Sequence, residues 1–60
     1  MSEGFWAVFA YDGAPYLIAA YPGELEAWRH VGRETPGYGM VMFVKWGQDL
    51  HEADKERRES

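Results

Sequence analysis

His30 and His51 are the only side chains in this 60-residue chain whose ordinary pKa lies near neutrality, so proton transfer or metal binding would begin with them. A metal centre would need both to converge with carboxylates. His51-Glu52 opens like the helical motif of zinc proteases, but the position that needs the second histidine is Lys55. Both therefore read as surface or rim histidines, with His30 four residues after Glu26, the spacing of a helix pair. Glu24 and Glu26 are split by one residue and diverge on a helix. Asp49, Glu52, Asp54, Glu56 and Glu59 alternate with Lys55, Arg57 and Arg58, as on a solvated helix face. General acid/base work needs paired groups held in a pocket, and this spacing builds none. Ser2 and Ser60 are terminal and Thr35 falls in a loop, so no hydroxyl has a base beside it. Gly37-Tyr38-Gly39 lacks the lysine of a phosphate loop and precedes a strand, which makes it a turn. With no cysteine, neither a disulfide nor a thiolate zinc site can form. The chemistry points to a non-enzyme without cofactor or metal.

Composition excludes further classes. The net charge is −4, and acidic and basic residues are interleaved, with Arg57 and Arg58 flanked by Glu56 and Glu59. Nucleic-acid binding needs a basic patch that releases counterions, and none is present. Phe5, Phe9 and Trp6 could stack on bases, but without cations around them they read as core or interface. The same interleaving disfavours an acidic mimic of DNA. No basic leader opens the chain, and no apolar run approaches the ~20 residues that span a bilayer. A cytoplasmic protein without membrane attachment is expected.

The elements that must position these residues follow from pattern. Phe5–Tyr11 is apolar and aromatic, as is Tyr16–Tyr21. Asp12-Gly13 between them signals a hairpin, with Pro15 at the first position of the returning strand. Pro22-Gly23 breaks the strand and Glu24 opens a helix. Leu25, Trp28 and Val31 recur at a spacing of three and form its apolar stripe, and Gly32 supplies the stop. Met40–Trp46 makes a third strand ending at Gly47. Asp49 and Glu52 resemble a capping box before a polar helix over roughly 50–58. The expected fold is α+β: a three-stranded antiparallel sheet of order 2-1-3, ββαβ(α) in sequence, with one helix on one face. Residues 1–47 form the domain, and 48–60 a polar helix or tail that frays at its far end.

One feature exceeds what a single helix can cover. In the hairpin Phe5, Ala7, Phe9 and Tyr11 share a face with Tyr16, Ile18 and Ala20, while Trp6, Val8 and Ala10 share the other with Leu17, Ala19 and Tyr21. Neither face is polar, whereas a half-buried antiparallel sheet shows one polar face. The C-terminal segment has too few apolar residues to cover the second face alone, so a second copy or a foreign partner is expected there. Trp6, Val8, Tyr21 and Phe43 are the residues expected to bind it.

Trp6–Tyr11 with Asp12-Gly13, Glu24–His30, and Val41–Trp46 with Gly47-Gln48-Asp49-Leu50 together cover most of the chain. In these stretches the layout resembles small proteins of tailed phages that infect actinobacteria, of the mycobacteriophage type. Seven Ala, seven Gly, one Ile and no Asn fit GC-rich coding. The resemblance implies a non-structural protein in the cytoplasm of the infected cell that binds a host protein, for host takeover or counter-defence. No residue roles carry over from it. The alternative is a homodimer that sequesters a small molecule such as a nucleotide.

Overall fold

A computed structural model of the protein describes residues 3–59; Ser2 and Ser60 lie outside them. The elements run β1 (Gly4–Tyr11), β2 (Pro15–Tyr21), α1 (Glu24–Glu34), β3 (Met40–Lys45) and α2 (Leu50–Glu59). The strands form one antiparallel sheet of order β2-β1-β3, as the crossover argument requires. Gly13 takes a φ of 76° in the hairpin loop, a conformation open to glycine and costly for most other residues. At the other end of β1, Gly4 lies against β3 so closely that a Cβ there would meet the Val44 carbonyl oxygen at 2.0 Å.

The register of the hairpin shifts between Val8 and Phe9. Val8 faces Ala19 and Phe9 faces Leu17, which leaves Ile18 as the extra residue of a β-bulge. The bulge corrects part of the alternation expected for β2. Ile18 joins Ala19 and Tyr21 on the face of Val8, while Leu17 comes opposite Phe9. No glycine or other marker in residues 16–21 announces it.

Both faces of β1 are covered. Val8, Ala27 and Val41 form one buried cluster, edged by Trp6, Ile18, Ala19, Tyr21 and Val31, under α1. Ala7, Phe9, Met42, Val44 and Ala53 form the other, with Phe5, Met40 and Leu50 at its margin, under α2. This corrects the expectation that the C-terminal segment has too few apolar residues to cover the second face: α2 packs there through Leu50 and Ala53.

α1 meets the sheet differently from the stripe its large residues suggest. Its one buried residue is Ala27, whose small side chain lets the helix axis come close to Val8 and Val41. Val31 packs at the edge as expected. Leu25 is 65% exposed and Trp28 47% exposed, so both point outward. The helix also continues through Gly32 to Glu34, and the amide of Thr35 closes it on the Val31 carbonyl at 3.1 Å. Thr35 is buried there, and its Oγ1 also reaches the Val31 carbonyl at 3.5 Å. His30 does not serve a pair with Glu26. Its Nδ1 lies 2.7 Å from the Tyr21 hydroxyl, which ties the helix to the end of β2.

α2 begins as the capping box predicts. The Glu52 amide donates to Asp49 Oδ1 at 2.8 Å and the Asp49 amide donates to Glu52 Oε1 at 3.2 Å. This satisfies two amides that the first helical turn would otherwise leave unpaired.

The rotation of α1 is testable by unfolding in urea. Ala27→Leu forces a large side chain between helix and sheet and is expected to cost about 1–3 kcal/mol. Leu25→Ala, on the outward face, is expected to stay within about 0.5 kcal/mol of the parent. The reverse order would mean that the sequence stripe, and not Ala27, faces the sheet.

Candidate functional site

The four residues expected to bind a partner lie together on the α1 side of the sheet. Val8 has no exposed surface at all, and Trp6, Tyr21 and Phe43 are partly buried. Trp6 and Phe43 meet edge to face with ring centroids 5.2 Å apart, and Tyr21 is engaged with His30. The face taken to be open is the one α1 closes, so Val8 is core. Alternation along β1 identifies which residues share a face. It carries no label for which face the helix takes, because both are apolar.

The opposite face is closed by α2 with fewer apolar residues than the sequence reading required. Polar groups complete the cover. Asp54, 3% exposed, is held by the Tyr11 hydroxyl, which donates to its Oδ1, and by Arg57 Nη2 at 2.8 Å from the same oxygen. Arg57 Nη2 also donates to the Tyr11 oxygen at 2.9 Å, and its guanidinium lies 5.4 Å from the centre of the Phe9 ring. Arg58 Nε stands 3.4 Å from Asp54 Oδ2. The Tyr11 hydrogen bond, with that of Arg57 and the positive charges of Arg58 and Arg57, holds the Asp54 carboxyl below its ordinary 3.8 against the opposing effect of burial. A sequence of alternating charges hides this group, since Asp54 looks like any member of a solvated face. The signal was Ala53-Asp54 at helix positions that follow Leu50 by three and four.

What stays open on the α2 side is the end of the sheet where β1 begins and β2 and β3 finish. Gly4, Phe5, Ala20, Tyr21, Pro22 and Trp46 line a shallow hollow of about 320 Å³ there. Trp46 forms its wall, 64% exposed, with its ring 5.3 Å from that of Phe5 and tilted by 41°. Its position is fixed from the backbone. The Trp46 amide donates to the Glu3 carbonyl at 3.0 Å. The turn beyond it is closed by Gln48, whose amide donates to the Lys45 carbonyl at 2.9 Å and whose Oε1 accepts from the Lys45 amide at 3.0 Å. Gly47, with φ of 86°, lets the chain reverse. A second hollow of about 310 Å³ runs along the β3 edge between Trp6, Phe43, Lys45, Glu56 and Arg57. There Lys45 and Glu56 approach to 3.9 Å, and Gln48 donates to Glu56 at 2.8 Å.

The two histidines do not converge. His30 belongs to α1 and His51 to α2, which lie on opposite faces. No group of three or more metal-binding side chains gathers among the described residues. Of the residues lining the first hollow, none is charged.

The Asp54 cluster predicts an acid transition. Because its folded pKa lies below the unfolded value, its contribution is whole above about pH 4 and is lost as the pH falls through the folded value. Asp54→Asn is expected to cost about 2 kcal/mol at neutral pH and to flatten the stability profile below pH 4. Tyr11→Phe should cost about 1 kcal/mol. Chemical denaturation between pH 2 and 7 measures both, and an unchanged acid slope in Asp54→Asn would remove the carboxylate from this role.

Comparison with protein-family models, with curated proteins and with solved structures finds no match to the chain, whose fold therefore stands on its own geometry.

Proposed function

We propose that the chain is a non-enzymatic protein-interaction module that takes an apolar anchor side chain of a partner protein into the Phe5–Trp46 hollow. The single observation behind this reading is the composition of that hollow: three aromatic residues, a proline, an alanine, a glycine and no charged side chain around about 320 Å³ of open space. A recess of this size suits one or two side chains of a partner, and a central aromatic flanked by apolar neighbours is the usual make-up of a binding hot spot. The phage resemblance supplies the class of partner, a host-cell protein met in the cytoplasm of the infected cell. The sheet-face surface expected from the sequence is replaced here by the sheet end, since α1 and α2 occupy the faces.

The small-molecule alternative draws on the same recess, which sits at the lower end of the volumes that hold drug-sized ligands. A nucleotide would need cations for its phosphates, and the lining provides none.

Peptides selected by display against the immobilised protein test the reading. The expected result is a consensus built around one aromatic or branched aliphatic residue. Binding should weaken at least about tenfold, roughly 1.4 kcal/mol, in Trp46→Ala, with the amides of Phe5 and Ala20 shifting on titration. Shifts of the same amides with AMP or GMP, and none with the peptides, would establish the alternative. Peptides that bind Trp46→Ala as well as the parent would rule the hollow out.

A further inference from the structure

The outward face of α1 carries a pattern that neither the fold nor the hollow uses. Large apolar residues face water at Leu25 and Trp28, while the helix spends its contact with the sheet on Ala27. Gly32 lies on the same outward stripe, seven residues after Leu25 and four after Trp28. Glycine inside an exposed helix is unfavourable relative to alanine. Among the described residues no contact asks for it, because a Cβ at Gly32 would meet no atom within 4 Å. Its φ is not among the positive values found at Gly13, Gly37 and Gly47. A bare backbone beside two exposed apolar side chains is what a second helix needs for close approach.

The geometry points to a second copy of this chain as the occupant, with two α1 helices packed antiparallel about a two-fold axis level with the Trp28–Arg29 peptide. In such a pair, residues whose numbers sum to 57 lie at one height, and like flanks of the two helices meet. Leu25 then comes level with Gly32 of the second copy. The Trp28 indole is drawn toward the helix N-terminus by its Nε1 hydrogen bond to Glu24 Oε2 at 3.2 Å, which carries the ring to the same bare backbone. Glu26, Arg29 and Arg33 share one flank at helical spacing. At matching heights Glu26 falls between Arg29 and Arg33 of the second copy. It already leans the right way: a Cβ on Gly23 would meet Glu26 Oε1 at 2.7 Å, and this is the side on which Arg33 of the second copy would stand. The stripe and its flank are thus self-complementary, as an isologous two-fold contact requires.

Size sets the strength. Eleven helical residues span roughly 16 Å, so the contact buries a few hundred Å² on each copy, below the ~1,200 Å² total of stable complexes. A reversible dimer with a dissociation constant of tens to hundreds of micromolar is expected. It does not depend on what the Phe5–Trp46 hollow binds.

Sedimentation equilibrium from 10 µM to 1 mM on the full chain tests this, with circular dichroism confirming that each variant is folded. The parent is expected to dimerise across this range and Trp28→Ala to remain a monomer. Gly32→Ala should raise the melting temperature of the monomer by improving the helix, yet weaken association at least fivefold. The decisive pair is Glu26→Arg, whose flank becomes all positive, and the double variant Arg29→Glu with Arg33→Glu, whose flank becomes all negative. Each alone should be monomeric, and an equimolar mixture should form heterodimers. A parent that stays monomeric at 1 mM, a dimer indifferent to Trp28→Ala, or a mixture that fails to associate would each overturn the proposal.

Discussion

Ala7, Val8, Phe9 and Ala10 are four consecutive residues of β1 that are buried on alternating sides, and this central strand sets the terms for the rest of the chain. A strand between two neighbours satisfies its backbone hydrogen bonds within the sheet. Its side chains still require a cover above and another below, or apolar surface faces water on one side. Among the described residues two short helices provide both. They do so in different ways. α1 comes close by presenting alanine. α2 has few apolar residues and is pinned by a buried carboxylate that Tyr11 and Arg57 satisfy. A charge removed from water without such partners would work against folding, so the phenol and the guanidinium are as much a part of this layer as Ala53.

That difference between the helices explains why surface appears where it does. A helix that packs through alanine must turn its larger side chains elsewhere, and Leu25 and Trp28 end up in water. A helix drawn down over Phe9 and Tyr11 leaves the opposite end of the sheet bare, which is where Phe5 and Trp46 stand. The exposed aromatic surface of the protein is thus set by how its two covers are attached.

Much of the fold was legible because local signals coincide. Asp-Gly between apolar runs, Pro-Gly before a helix and Asp49 with Glu52 each have one stereochemical meaning, and the strand order followed from the crossover rule. The strand faces were less legible. Two apolar faces give the reader no reason to prefer one, and the bulge at Ile18 inverts the alternation of residues 16–18 without any residue type that marks it. The helix stripe misled for a related reason. Spacing by large side chains finds the most apolar arc, whereas contact with a flat sheet here favours the smallest residue. The bulge leaves the expected binding residues untouched: Trp6, Val8, Tyr21 and Phe43 are correctly grouped on one face, and that face is the one under α1. Asp54 could not be told from its charged neighbours, because its burial depends on Tyr11, 43 residues away.

The bulge has one more effect, on the company the sheet can keep. β2 is an edge strand bearing exposed Tyr16 and Leu17, the kind of edge on which unrelated chains add strand after strand until a fibre forms. An extra residue in mid-strand breaks the regular rise of amides and carbonyls, so an incoming strand finds matching partners on one side of Ile18 only. Open-ended growth along the β2 edge is thereby discouraged at the level of backbone spacing. Contact along that edge is then left to side chains such as Tyr16 and Leu17, whose surface is finite.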